Sequence, residues 1–455
     1  MVQFVSIYCT RPLNHRTDPQ ESTPTVNIGL RKQCCILILS CLAGCQTSTT
    51  DQVNESSQAE QRPTETPSTA STETTANSSD PPRLLDDDQL AAGWISLFDG
   101  QTLFGWQAAG DADWTVRDGA LEVSAGAVGP LHTTTLLHTT TQFSDYRLQL
   151  EYKADAGTNS GVFVHTPPRP QDPATDCYEI NIAPADNPFP TGSLVKRNKV
   201  TANPRDLEWN QLEIGVLGDF IEVILNGTKI LEYVDPAPLL RGHIGLQHNE
   251  GRVAFRNVRL QPTPQRGIFN GEDLTQWIVR PEMDSEFSVT PEGYLHVTNG
   301  KGQIETQESF GDFVLQLECI SNGEGLNSGI FFRCIPGDVM MGYESQIHNG
   351  FVDGDRARPV DCGTGGIFRR QDARRVVSDD FEWFTKTIIA DGPHIATWVN
   401  GYQVADWTDT RAPDDNPRRG LRVEPGTIII QGHDPTTDLS FRNLRISPLR
   451  VRVAE

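Results

Sequence analysis

The chain says nearly the same thing twice. Residues 93–262 open with Leu97-Phe98-Asp99-Gly100 and Trp106, and residues 267–448 open with Ile268-Phe269-Asn270-Gly271 and Trp277. Each copy then runs through Leu-Gln-Leu-Glu (Leu148 to Glu151, Leu315 to Glu318), Asn-Ser-Gly (Asn159 to Gly161, Asn327 to Gly329) and Tyr-Glu (Tyr178-Glu179, Tyr343-Glu344). Thr-Gly (Thr191-Gly192, Thr364-Gly365), Glu-Trp (Glu208-Trp209, Glu382-Trp383), Asn-Gly (Asn226-Gly227, Asn400-Gly401) and Phe-Arg-Asn (Phe255 to Asn257, Phe441 to Asn443) follow in the same order. Solenoid repeats run about 20–50 residues, so units of this length are tandem domains. Each must therefore bury a core of its own, and the chain is to be read as one fold written twice.

The period of the hydrophobic pattern names the element. From Asp145 to Lys153, Tyr146, Leu148, Leu150 and Tyr152 alternate with Arg147, Gln149, Glu151 and Lys153, the period of a half-buried strand. Phe313, Leu315, Leu317 and Cys319 repeat it. Asn-Gly stands between apolar runs at Val223 to Ile230 and at Thr397 to Val404, the strongest short-range signal of a hairpin. Neither copy sustains a helical period. An all-β chain of two tandem β-sandwiches follows, residues 91–263 and 264–455, joined at the Pro-rich Gln261 to Gln265.

Ahead of them lie two segments of another kind. Arg31-Lys32, a short apolar run from Cys35 to Leu42 and Leu42-Ala43-Gly44-Cys45 predict a lipoprotein signal region over residues 1–45, with Cys45 lipidated. The run is far below the roughly 20 residues that span a bilayer. Residues 1–25 fit no such signal, which points to a later translation start. Residues 46–90, mostly Ser, Thr, Glu and Pro, predict a disordered tether. Together they predict a cell-envelope lipoprotein held to a membrane by its N-terminal lipid and facing the periplasm or exterior. The formal charge of −22 with no basic patch excludes nucleic acid as a partner. Of the cysteines beyond Cys45, Cys319 reads as core, and Cys334 and Cys362 either pair as a disulfide or stay free.

The ordered set of motifs, found twice and covering about four-fifths of the chain, resembles the 3-keto-disaccharide hydrolase domain family, whose fold is similar to the concanavalin A-like lectin and glucanase jelly roll. The resemblance implies a hydrolase acting on 3-keto-glycosides. A 3-keto sugar has an acidic proton at C2, so a base can remove it, expel the aglycone from C1 and let water add; this needs a base, an acid for the leaving oxygen and an electrophile at O3.

Strand parity supplies candidates independently. Glu344, Gln346 and His348 share one face of their strand, Phe331 and Arg333 one face of theirs, and Gln431 and His433 another. Glu344 is the expected base, His433 or His348 the acid and Arg333 the enolate stabiliser, with Gln346 and Gln431 binding substrate. A divalent metal held by Glu and His is the alternative to Arg333, although no spacing here resembles a dedicated metal motif. In the first copy the corresponding set is Glu179, Asn181, His165, Lys196, Gln247 and His248, with Ala183 where the second has His348. The competing reading is a non-catalytic, lectin-like glycan binder, in which Trp106, Trp114, Trp277 or Trp407 stacks on sugar. Wet-face Glu and His favour catalysis over it.

Overall fold

The computed structural model describes residues 83–124, 135–201, 206 and 208–450. The expected lipidation site Cys45 and most of the expected tether lie outside these residues. The described residues are all-β apart from one α-helix, Asp87–Ala92, and a single 3-10 turn. Each copy builds an eight-stranded and a five-stranded antiparallel sheet, stacked as a concanavalin A-like sandwich. The strand order is the same in both. The five-stranded sheet of the first copy runs Trp106–Ala109, Thr135–Thr139, His243–Glu250, Asn159–Thr166, Tyr178–Ile182. That of the second runs Trp277–Val279, Gly302–Thr306, Thr427–Gly432, Ser328–Cys334, Tyr343–Ile347.

Many of the repeated motifs prove to be one another's partners. Both Asn-Gly hairpins turn through two residues of positive φ, Asn226 (50°) with Gly227 (75°) and Asn400 (47°) with Gly401 (71°), the geometry that matches strand twist. The Glu of Leu-Gln-Leu-Glu accepts from the Arg and Asn of Phe-Arg-Asn, Glu151 from Arg256 and Asn257, Glu318 from Arg442 and Asn443. Those arginines stack on the Trp of Glu-Trp at 4.0 Å in both copies. The Tyr of Tyr-Glu donates to a buried aspartate at 2.7 Å, Asp235 in one copy and Asp409 in the other. These contacts hold the sandwich together.

The sandwiches are not alike on their outer faces. Tyr146–Ala154 alternates between buried and more open side chains, as its sequence predicts, whereas Phe313–Ser321 is buried on both faces except at Ile320. The reason is contact with the first copy. Val314, Ile389, Ala396 and Trp398 of the second sandwich belong to the apolar cluster of the first. Trp398 Nε1 donates to Ser96 O at 2.9 Å, and Gln316 Nε2 to Gly93 O at 2.9 Å. Residues 83–92, at the end of the segment assigned to the tether, are ordered in this seam. The helix is held by a capping box between Asp86 and Gln89, and Leu85 packs against Gly401.

All four described cysteines are free and buried, so Cys334 and Cys362 do not pair. Cys334 packs with Phe331 and Ile429, while Cys362 Sγ faces Gln371 O at 3.4 Å. Trp106, Trp114 and Trp277 are core residues, and Trp407 packs against the second core, so none of them offers a stacking platform for sugar. Among the described residues no helix is long and apolar enough to cross a membrane.

Candidate active site

On the outward face of the second copy's five-stranded sheet, alternate residues of four strands form a polar field over an apolar floor. Pairing of Gly329 with Gln346, Phe331 with Glu344, Gln303 with Gln431 and Phe331 with Ile429 sets the rows. Phe331, Ile429 and Cys334 make a small separate apolar cluster, with Met340 packed against it. Part of the field is closed by residues 335–341. There, fully buried Glu305 accepts from Gly337 N (3.0 Å), Thr427 Oγ1 (2.8 Å) and Arg280 (3.2 Å), and Gln303 Oε1 accepts from Met340 N (2.8 Å).

What stays open is a cavity of about 350 Å³, within the range of small-ligand sites. Glu344, Gln346, Gln431 and His433 line it, as parity predicts. Glu344 leans over Gly329, where any side chain would collide: a Cβ there would lie 2.6 Å from its Oε1. This explains the glycine of Asn-Ser-Gly. The serine of that motif, Ser328, ties its strand to Gln431 O at 2.8 Å, and Asn327 Nδ2 donates to Asp361 at 2.5 Å. Gln346 Nε2 also donates to Asp361 (3.0 Å), and Gln431 Nε2 faces the Met340 sulfur (3.3 Å). The amide oxygens of Gln346 and Gln431 are buried and have no hydrogen-bond partner among the described residues, which suits them to accept from ligand hydroxyls.

Burial pushes the Glu344 carboxyl up to about 7, against a pull downward from Arg418. His433 Nδ1 lies 3.2 Å from Asp434 Oδ2, which fixes its ring. Behind the strand, the fully buried Lys386 crosses the sandwich interior and donates to Ser345 O (3.1 Å) and Gln346 O (2.5 Å). Desolvation brings its ammonium down to about 7. The first copy has Leu212 at this position. Because the nearby Lys386 charge favours the ionised form of Glu344, Lys386→Leu is expected to raise the Glu344 pKa and move the acid limb of any pH–rate profile to higher pH; titrating kcat/KM checks this.

Two expected site residues are elsewhere, for one reason. In the Ser328–Cys334 strand the register slips between Phe331 and Cys334, and Arg333 takes a positive φ of 49°. The bulge turns its side chain away from the cavity. Arg333 is 0% exposed, donating to Asp312 at 2.8 Å and to the carbonyls of Gly392 and Arg422. His165 sits at the same bulge in the first copy, also at φ 49°, with its ring nitrogens at Leu239 O (2.5 Å) and Ser144 O (2.6 Å). His348 is outside the cavity lining as well, because the strand ends at Ile347 and its Nδ1 accepts from Gly350 N at 3.1 Å. Cations that sequence reasoning missed, Lys301 and Arg418, line the cavity together with Asn327, Phe368 and Asp361. Only Asn327 carried a signal, as the first residue of Asn-Ser-Gly; loops far apart in sequence bring the others.

The first copy keeps the pattern, with its carboxyl more deeply buried than Glu344. Glu179 is 8% exposed, Asn181 4%, Gln247 5% and His248 4%. Asn181 Nδ2 donates to Phe189 O, and His248 Nε2 lies 3.0 Å from Gly251 O. Lys196 pairs with Asp172 at 2.9 Å on the surface. Burial pushes Glu179 up to about 7, as it does Glu344. Among the described residues no three His, Cys, Asp or Glu side chains converge on a metal-sized site, so the Glu and His ligand set considered for a divalent ion is not assembled.

Comparison with known proteins agrees with the motif order. The chain is 25% identical over 232 residues to the 3-keto-disaccharide hydrolase of Bacteroides thetaiotaomicron, covering 38% of this chain and 79% of that protein. A solved Parabacteroides distasonis protein assigned as a glycosyl hydrolase is 18% identical, covering 40% of this chain and 99% of its own at a TM-score of 0.34. The carbohydrate-binding module CBM66 of Bacillus subtilis is 14% identical, covering 34% and 94%, at a TM-score of 0.27. Residues 93–261 and 265–447 each match the 3-keto-alpha-glucoside-1,2-lyase-like domain, and the chain belongs to that family as a tandem pair.

Proposed function

We propose that the second sandwich cleaves 3-keto-glycosides by elimination and hydration. The observation that carries this reading is Glu344, a carboxyl held at about 7 by burial in a polar-walled cavity. A base is most useful when its pKa lies near working pH. Ionised Glu344 takes the proton from C2, and the electron pair becomes the C2–C3 enolate. Collapse of the enolate restores the ketone, forms the C1–C2 double bond and expels the glycosidic oxygen, which takes the proton back from Glu344. Water then adds at C1 and a proton returns to C2.

His433 stands at the other end of the sugar. It follows Ile429, the row partner of Phe331 and hence of Glu344, by four residues and two strands. At about 4.8 Å between strands and about 3.3 Å per residue, the two backbones are roughly 16 Å apart. Once both side chains reach inward, about one sugar ring fits between them. We therefore move His433 from leaving-group acid to the ketone oxygen, with Lys301 beside it, in the role expected of Arg333. The family match and the relative's hydrolase activity support this reading, as does the supply of unpaired amide acceptors.

The N-terminal signal features support placing the enzyme at the cell envelope on a lipid anchor through Cys45. Replacement of Cys45 by Ser is expected to release the protein from the membrane fraction, as a single chain end carries the attachment.

The deciding experiment is cleavage of 3-keto-trehalose beside trehalose in D₂O. Cleavage of the keto sugar alone, with one deuterium at C2 of the released 3-keto-glucose, is expected. Cleavage of trehalose, or product without deuterium, rules the mechanism out.

A further inference from the structure

A second cavity of about 190 Å³ adjoins the first and shares Phe331, Glu344, Phe368 and Arg418 with it. Its remaining wall includes Arg369 and Arg370. Three guanidiniums thus meet at one small space in a chain of net charge −22. None of the three forms an ion pair among the described residues. Arg370 donates only to main-chain oxygens, those of Arg369 (3.1 Å) and Arg418 (2.8 Å). Arg418 Nη2 donates to Met340 O at 2.6 Å, and Arg369 lies over the Phe368 ring at 5.1 Å.

The first copy shows what these positions do when they are structural. There the residue equivalent to Arg370 is Arg197, which pairs with buried Asp235 at 2.7 Å and stacks on Tyr178 at 4.6 Å. The equivalent of Arg369 is Lys196, paired with Asp172 at 2.9 Å. In the second copy the counterpart of Asp235 is Asp409, and a new residue has taken it: Arg411 holds both its oxygens, at 2.8 and 2.7 Å, from the position of Ala237. Arg370 is released from that duty and turned to the cavity. Its own burial and the nearby charges of Arg411 and Arg369 press its pKa down, against an upward pull from Asp409.

We propose that this second cavity is an anion subsite for the leaving group, so that the preferred substrate carries a carboxylate on its aglycone. The proposal rests on the reading of the larger cavity as the sugar site. The scissile C1–O1 bond then lies over Glu344, at the wall common to both spaces, and the aglycone passes beneath Arg418 to meet Arg369 and Arg370. Guanidinium recognises a carboxylate with paired, charge-assisted hydrogen bonds, and Glu344, which forms no ion pair with the three arginines, is among the described residues the one carboxyl in the wall of this cavity.

Titration calorimetry with unoxidised phenyl α-glucoside and 4-carboxyphenyl α-glucoside reads binding without turnover. Wild-type protein is expected to bind the carboxylate about tenfold more tightly, with the advantage shrinking in 0.5 M salt as screening grows (about 4 Å Debye length). Arg370→Gln and the exposed Arg369→Gln are each expected to remove much of the difference between the two ligands, and the double variant all of it. Equal affinities in the wild type, or a carboxylate preference that survives in the double variant, overturns the subsite. If the preference is present but neither 3-keto derivative is cleaved, the hydrolytic reading fails and the anion subsite stands.

Discussion

Glu344→Gln is expected to lower kcat for a 3-keto disaccharide by about 10²–10⁴-fold, the usual scale for loss of a general base. The same variant should be the more stable protein at pH 8. The folded state holds the Glu344 proton up to about pH 7, against 4.5 for the ordinary carboxyl. The raised pKa means that its contribution to stability is fully present below the unfolded value near 4.5 and is lost as pH rises to about 7. Above that the buried carboxylate destabilises the fold by at most about 3 kcal/mol, at about 1.4 kcal/mol per unit. Glutamine is neutral throughout and nearly isosteric, so the two proteins should melt together near pH 4.5 and separate by pH 8. Urea unfolding at both pH values, with initial rates on 3-keto-trehalose, checks the pair of effects. Glu179→Gln shares the stability effect, because burial raises Glu179 in the same way, but is expected to alter turnover far less, as Glu344 is the carboxyl that lines the described cavity. If the two variants rank in the opposite order on rate, the working copy is the first.

Trp398→Ala is expected to cost about 3–5 kcal/mol, the range for removing a fully buried large aromatic. The side chain is 1% exposed, packs in the apolar cluster of the first sandwich although it belongs to the second, and donates to Ser96 O. The loss should therefore register in both halves. In the wild type a single cooperative urea transition is expected. In the variant the transitions of the two sandwiches should separate, followed by fluorescence and by hydrogen exchange in each half. A loss below about 1 kcal/mol, or two transitions already in the wild type, would show that the seam carries little. By the same argument residues 264–455 expressed alone expose Val314, Ile389, Ala396 and Trp398, and are expected to be less stable than in the whole chain.

How far the sequence could be read depended on how local each signal was. The hairpins at Asn226-Gly227 and Asn400-Gly401 need only their own dihedral preferences, and parity along Tyr343–Ile347 needs only the pleat, so the sequence suffices to put Glu344 and Gln346 on the face where they line one cavity with Gln431 and His433. Parity fails where the pleat does. One extra residue at a bulge turned Arg333 and His165 out of the reach of their sites, and the end of a strand did the same for His348. Nothing in a sequence of alternating residues marks such a slip, because φ of 49° at arginine or histidine is chosen by packing at the sheet end and not by the residue itself. Lys301, Arg418 and Phe368 reach the cavity from loops whose course depends on the finished sheet. The double burial of Phe313–Ser321 was illegible for a related reason: its polar residues Gln316 and Glu318 read as solvated, yet they face Gly93 O and the Arg442–Asn443 pair.

The seam between the sandwiches has a consequence for the chain's descent. A duplicated domain that no longer performs the reaction is ordinarily free to decay or be deleted. Here deletion would strip the cover from Trp398, Ile389 and Val314 and unseat the lead-in helix, so the first copy is retained for shelter whether or not it performs the reaction. A polar face relieved of catalysis is at liberty to drift, and Ala183 stands where the second copy has His348, while apolar and seam residues are not free in this way. Lineages carrying this tandem arrangement should accordingly show fast change at Glu179, Asn181 and Gln247 against slow change at Ser96 and Gly93. The doubling, once made, acts as a one-way step.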